Sequence, residues 1–266
     1  MNICLFSSEE LKSPLDIRDE RAQHIIKVLH KKEGDSFAAG IIGGKAGRAT
    51  IRRLDFLEEK SADGKKTFKA GFLYFDFEGE SDGKPLFPLK MIIGFPRPIQ
   101  LKRLLRDMAG LGVSEVHLTA TELGEKSYLK SALATSDAGK KMLLEGSVQA
   151  ASTHIPALFM HDSLEKCLDA VESGGNSGAL QIKAALDNVD ANQSLVSFMK
   201  EAGSAQGAGL EAIAAIGSER GWTDKERKLL EIKGYKRLSM GMRVLRTETA
   251  ATVAASLMLG SMGFLN

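Results

Sequence analysis

The sequence is short of cysteine, of net charge and of long apolar runs. Two cysteines occur in 266 residues, Cys4 and Cys167, far apart and in no motif. That pattern argues against a disulfide framework and against a structural zinc site, and it fits a reducing cytoplasm. The five histidines include none at metal-ligand spacing, so no metal is expected. A net charge of only +2 says little about partners. The opening residues, MNICLFSSEELK, lack a basic start followed by a long apolar core, so no signal peptide is expected. Residues 249–266 are uncharged and near the minimum length for a membrane span, but they are rich in Ala, Thr, Ser and Gly. A buried helix, in the core or at a subunit contact, is the expectation there, with no membrane partner. The Gly-rich fingerprint of dinucleotide-binding folds is missing. Residues 40–46 (GIIGGKA) have the wrong spacing for a phosphate loop, and Ala46 stands where that loop needs Ser or Thr. No internal repeat is visible.

What is present is an ordinary globular balance. Hydrophobic residues make up 43% and charged residues 26%, enough for a real core. The length allows one large or two modest domains, at roughly 100–200 residues each. The charge is unevenly spread. Residues 84–106 hold six Lys/Arg and no acid, and residues 225–246 hold eight against Glu226 and Glu231. Residues 36–54 carry Lys45, Arg48, Arg52 and Arg53 with no acid, whereas residues 160–215 carry eight acids and three lysines. Separate basic segments can merge into one phosphate-binding face or remain solvated surface.

The pattern of elements changes once along the chain. Residues 1–77 read as mainly β, with short β-prone runs at 36–42, 48–54 and 67–75. Gly43-Gly44, Gly47 and Asp63-Gly64 mark turns between them, and one helix spans 18–29. A small β-barrel with one helix summarises this part. The polar stretch 78–83, with Pro85 and Pro88 after it, makes 78–88 the candidate linker. From 89 to 266, strands and helices alternate. Strands are expected at 89–94, 116–120, 157–160, 178–186, 211–216 and 235–239. Helices are expected at 99–111, 138–151, 164–172, 194–202, 225–233 and 247–259. Alternation of this kind predicts an α/β domain with a mostly parallel sheet, and such sheets bind ligands at the carboxyl ends of their strands.

Two glycine-marked corners carry the chemistry. In the first, a strand ends at Ile216-Gly217, and Glu219 lies between Gly217 and Gly221. Thr223 and Glu226 then form a capping box that opens a helix. In the second, a strand ends near Ser239, and Met240, Gly241, Arg243, Val244, Leu245 and Arg246 lead to a helix at Thr247. Glycines allow close backbone approach to a ligand, and arginines can contact phosphate or a developing oxyanion. Trp222 reads as core packing rather than as a stacking platform.

Together the corners resemble the bacterial 16S ribosomal RNA uridine-N3 methyltransferases of the SPOUT superfamily. That family carries Gly-Pro-Glu-Gly-Gly-Phe-Ser-x-x-Glu and then Leu-Gly-x-Arg-Ile-Leu-Arg-Thr-Glu-Thr-Ala. This chain has Gly217, Glu219, Gly221 and Glu226, then Gly241, Arg243, Leu245, Arg246, Thr247, Glu248, Thr249 and Ala250. His24, Val28, Leu29, Gly34 and Asp35 are similar to the family's N-terminal segment. Leu111-Gly112-Val113, Glu145 and Gln149 match further positions. Ser218, Arg220, Trp222, His30, Asp107, Gly110 and Lys126 depart from the family pattern.

The resemblance implies a trefoil-knotted methyltransferase domain preceded by a PUA-like β-barrel, a homodimer, and S-adenosylmethionine as methyl donor. It implies a cofactor pocket lined by residues 216–221 and 239–246, with Leu186 on a third wall. The substrate would be 16S ribosomal RNA or the small ribosomal subunit. Arg243 and Arg246 would balance negative charge developing on the uracil, and Glu219 or Glu248 would accept its proton. Alternatively, Glu248 caps or salt-bridges the last helix and Glu219 only orders its loop. RNA phosphates would meet His24, Lys27, Arg48, Arg52, Lys102, Arg103, Arg106 and Lys126. The departures leave open another RNA target, such as transfer RNA, or a non-catalytic RNA-binding relative.

Overall fold

A computed structural model describes residues 2–60, 67–131, 135–174, 180–203 and 210–265. The turn expected at Asp63-Gly64 lies outside the described residues, as does the start of the strand expected from Gly178. The chain forms two compact units: residues 1–85 with 147–155, and residues 86–146 with 156–266.

The first unit is a five-stranded sheet in the order β1-β3-β4-β5-β2. Its strands are β1 (Cys4–Phe6), β2 (Leu15–Asp16), β3 (Ser36–Ile41), β4 (Ala46–Lys60) and β5 (Thr67–Ser81). β4 and β5 form a long antiparallel hairpin. β5 carries Glu78–Ser81 in strand conformation, so most of the polar stretch at 78–83 is ladder rather than coil. Gly47, expected in a turn, lies inside β4. There the strands run so close that a Cβ on Gly47 would collide with the Glu78 carbonyl, and the register shifts between Ala46 and Gly47. The expected helix is shorter: α1 (Glu20–Gln23), capped by the Asp19 side chain, gives way to a wide π-type turn over His24–Val28. Phe6, Ala22, Ile25, Phe37, Ile51 and Leu73 form its core.

The second unit is a six-stranded sheet in the order β11-β9-β10-β6-β7-β8, with every pairing parallel. The strands are β6 (Phe87–Gly94), β7 (Val113–Thr119), β8 (Ala157–His161), β9 (Leu180–Leu186), β10 (Leu210–Ile216) and β11 (Lys236–Leu238). The helices are α2 (Pro98–Leu111), α3 (Ser136–Gln149), α4 (Leu164–Ser173), α5 (Leu195–Gly203), α6 (Asp224–Ile232) and α7 (Thr247–Ser261). Local chemistry sets their ends. Pro98 opens α2 and Gly112, at φ 74°, closes it. The Thr223/Glu226 capping box starts α6 as its sequence predicts.

Apolar packing covers both faces of this sheet. On one face, Ile92, Ile213, Ala215 and Trp222 pack with Leu164, Cys167 and Leu168 of α4 and Leu230 of α6. On the other, α7 packs on α2, β6 and β10. The small residues Ala250, Ala251, Ala254 and Ala255 are buried with Met258 and Leu259, which explains the uncharged C-terminal stretch. Each large side chain so buried contributes about 1.5–3 kcal/mol. No described helix is long and apolar enough to cross a membrane.

Candidate active site

The carboxyl ends of β9, β10 and β11 carry three loops that surround one pocket. Leu186, Asp187 and Asn188 form one wall, and Ile216–Glu219 with Gly221 a second. Met240, Arg243, Val244 and Leu245, followed by Thr247 and Ala250 of α7, complete it.

The second wall depends on glycine. A Cβ on Gly94, at the end of β6, would collide with the backbone N of Ser218. A Cβ on Gly217 would lie 2.9 Å from the Gly221 carbonyl carbon. Gly221 adopts φ 74° and donates its N–H to the Ser218 carbonyl at 2.9 Å, closing a tight turn. These approaches fold the segment back on itself at the pocket wall. The Ser218 hydroxyl is buried and, among the described residues, has no hydrogen-bond partner. An orphaned polar atom in a pocket wall is what a polar ligand would satisfy.

Other contacts fix the walls. Arg97, just before α2, donates its backbone N–H to Glu219 Oε1 at 3.0 Å. Asp187 accepts from the backbone N–H groups of Asn188 (2.8 Å) and Val189 (3.1 Å) and from Arg227 Nε of α6 (2.7 Å). The indole N–H of buried Trp222 donates to the Leu186 carbonyl at 3.2 Å, so this residue packs beneath the pocket.

The structure brings together Leu186, Ile216, Gly217, Ser218, Glu219, Gly221, Met240, Arg243, Val244 and Leu245, all from the segments expected at the cofactor. Five residues of the expected segments are not in the lining, Arg220 and Met242 among them. Ser239 donates to Gln193 O and accepts from Leu195 N, an anchor behind the loop. Gly241, at φ 109°, shapes the loop. Arg246 is the residue before α7 and is exposed. Glu248 is also outside the lining. Thr247 and Ala250, three apart on one helix face, turn to the pocket, and Glu248 points elsewhere in the first turn. Neither Arg243 nor Arg246 has a carboxylate ion-pair partner among the described residues. Sequence reading missed Asp187, Asn188, Thr247 and Ala250. A polar pair directly after an apolar strand was the available signal for the first two.

The residues expected at RNA divide between the units. In the first, Lys27 and Arg48 are exposed, Arg52 pairs with Asp76, and His24 Nε2 is buried without a partner among the described residues. In the second, Lys102 and Arg106 share Glu145, Arg103 faces Asp107 at 3.9 Å, and Lys126 is exposed in a turn.

The profile of the RNA methyltransferase domain family matches residues 83–259. The chain is 40% identical over 266 residues to the ribosomal RNA small subunit methyltransferase E of Treponema pallidum, covering 98% of this chain and 91% of that one. It is 30% identical to the ribosomal RNA small subunit methyltransferase E 1 of Borreliella burgdorferi, covering 98% of each. A crystal structure of the ribosomal RNA small subunit methyltransferase E of Neisseria gonorrhoeae, bound to S-adenosyl methionine, superposes with TM-score 0.67 at 19% identity. That match covers 98% of this chain and 97% of the other. The match over most of its length shows that this chain belongs to the RNA methyltransferase family, among the ribosomal RNA small subunit methyltransferases E.

Proposed function

We propose that this protein transfers a methyl group from S-adenosylmethionine to N3 of a uridine in 16S ribosomal RNA, working in the cytoplasm on the small ribosomal subunit. The observation that carries the reading is the three-walled pocket at the strand ends, with its glycine-dependent backbone wall and its buried, unpartnered Ser218 hydroxyl. A nucleoside-bearing cofactor fits this donor set. Backbone groups of residues 186–188 and 216–221 would hold its polar edges, and Ile216, Met240, Val244, Leu245 and Ala250 its apolar surfaces. When bound, S-adenosylmethionine supplies an electrophilic methyl group on a sulfonium.

The chain's own residues must then orient the uracil and manage its proton. Uridine N3 carries a proton and is a weak nucleophile until that proton leaves. Arg243, lining the pocket and without a carboxylate partner among the described residues, would stabilise the negative charge that spreads over N3 and the two carbonyl oxygens. Arg246, exposed at the start of α7, would hold the adjacent phosphate. Glu219 would accept the proton on Oε2 while Oε1 stays on Arg97. Glu248 would serve α7 as a first-turn carboxylate.

The rest of the family architecture belongs to the same proposal. A trefoil knot is supported by the path of the chain: β11 lies at one sheet edge, yet α7 packs on central β6 and β10 and completes the pocket. The first unit would act as the PUA-like RNA-holding domain, with Lys27 and Arg48 as open cations. Exposed Ile99 and Met242 are apolar surface that a second subunit would cover. The test is methyl transfer from labelled S-adenosylmethionine to small subunits lacking the modification, followed by nucleoside analysis. Labelled N3-methyluridine in 16S RNA is expected. Cofactor binding with label only in transfer RNA, or no cofactor binding, would overturn the reading.

A further inference from the structure

Away from the pocket, a run of polar side chains crosses the sheet of the second unit on the face covered by α4. Lys90, on β6 and almost fully buried, pairs with Glu211 of β10 at 3.0 Å and with Glu115 of β7 at 3.3 Å. Glu115 Oε2 lies 2.9 Å from His117 Nε2, and His117 Nδ1 lies 3.0 Å from His161 Nε2 at the end of β8. Cys167, one turn into α4, is fully buried against the same place. One ring nitrogen from each of His117 and His161 and the Cys167 Sγ all lie within 4.8 Å of one another.

We propose that His117, His161 and Cys167 bind one divalent cation of the zinc class, with Glu115 orienting His117. Two imidazole nitrogens and a sulfur are the donors such an ion prefers. Bonds of about 2.0–2.3 Å set tetrahedral donors roughly 3.3–3.8 Å apart, so the cluster closes on an ion with side-chain movements of about an ångström. The orienting shell is already in place. The Glu115 carboxylate accepts a hydrogen bond from His117 Nε2–H, which leaves the Nδ1 lone pair facing His161, and Lys90 holds that carboxylate from behind. The two rings stack with centroids 5.2 Å apart, and Phe159 stacks on His117 at 4.7 Å. His161 is half-buried, which gives the ion a route in and leaves the fourth position to water.

The protons balance as follows. Without metal, the His161 Nε2–H donates to His117 Nδ1. On binding, His161 keeps one proton by carrying it on Nδ1, and the Cys167 thiol gives up its proton to solvent. One proton is released per ion, so affinity rises about tenfold per pH unit while the thiol is protonated.

Cobalt(II) titration of the full chain tests the site. One equivalent is expected to give a near-ultraviolet thiolate-to-cobalt band with tetrahedral visible absorption, and zinc(II) is expected to abolish both. Cys167→Ser should remove the near-ultraviolet band, and Glu115→Gln should weaken binding 10–100-fold. His161→Gln, at a half-exposed position, tests the second ligand with little risk to folding. Circular dichroism and S-adenosylmethionine binding report whether each variant is folded. A wild-type protein without the thiolate band, or zinc affinity unchanged in both Cys167→Ser and His161→Gln, would overturn the assignment.

Discussion

Glu219 accepts the backbone N–H of Arg97 at 3.0 Å, which ties the turn after β10 to the start of α2. The same carboxylate lines the pocket, so it has a structural task and a proposed chemical one. Substitution separates them. Glu219→Gln keeps an oxygen for Arg97 but cannot take up a proton, so cofactor affinity should hold within about threefold while the transfer rate falls about 100-fold or more. Glu219→Ala should lose both, with a further cost of about 0.5–1.5 kcal/mol from the lost hydrogen bond to Arg97. Calorimetry and single-turnover transfer read the two effects. A fully active Glu219→Gln would leave Glu219 only its positioning task.

Gly94→Ala should weaken cofactor binding at least tenfold, or about 1.4 kcal/mol. The added methyl meets the Ser218 backbone, which cannot yield without shifting the pocket wall. Isothermal titration with S-adenosylmethionine measures this. Unchanged affinity would mean the wall plays no part in binding.

Arg243→Ala should lower the rate of transfer by about 100-fold with cofactor affinity nearly constant, because its charge is needed where the uracil anion develops. Arg246→Ala should instead raise the apparent KM for small subunits and flatten the salt dependence of binding. Steady-state kinetics at two ionic strengths distinguish the two arginines. Equal effects on both parameters would argue against the division of roles.

Asp187→Ala should destabilise the protein by about 1–3 kcal/mol. The side chain is 4% exposed, and its removal leaves the N–H groups of Asn188 and Val189 without their acceptor and Arg227 with only the exposed Asp224 as a carboxylate partner. Chemical denaturation gives the value. A loss below about 1 kcal/mol would show that water replaces the carboxylate.

His161 makes stability depend on pH. Burial, and then the neighbouring His117, hold its imidazole below the usual 6.5, with Asp162 pulling the other way. Above pH 6.5 neither the folded nor the unfolded state is protonated there. As pH falls below 6.5 the unfolded chain takes up a proton first, so stability is lost until pH passes the folded value. Glu115 and Cys167 also face the cluster, but Glu115 titrates in the acid range and the Cys167 thiol far above it. His161→Gln should therefore shrink the stability difference between pH 7.5 and 5.5. An unchanged difference in metal-free buffer would remove His161 from the acid response.

The amino-acid sequence by itself determined the element order of the second unit and both pocket-lining corners. Strand and helix alternation is a periodicity signal, and the Thr223/Glu226 box and Gly112 cap are local chemistry, so residue order alone carries them. Only tertiary structure decided which corner residues reach the pocket. Thr247 and Ala250 face it, whereas Glu248 and Arg246 do not, because α7 is oriented by packing on α2, β6 and β10. Gly47 looked like a turn and proved to be strand, because the closeness of β5 is invisible along the chain. The cluster of His117, His161 and Cys167 is the extreme case. Its members come from β7, β8 and α4, and only parallel pairing in register, with α4 laid across it, brings them within reach of one ion.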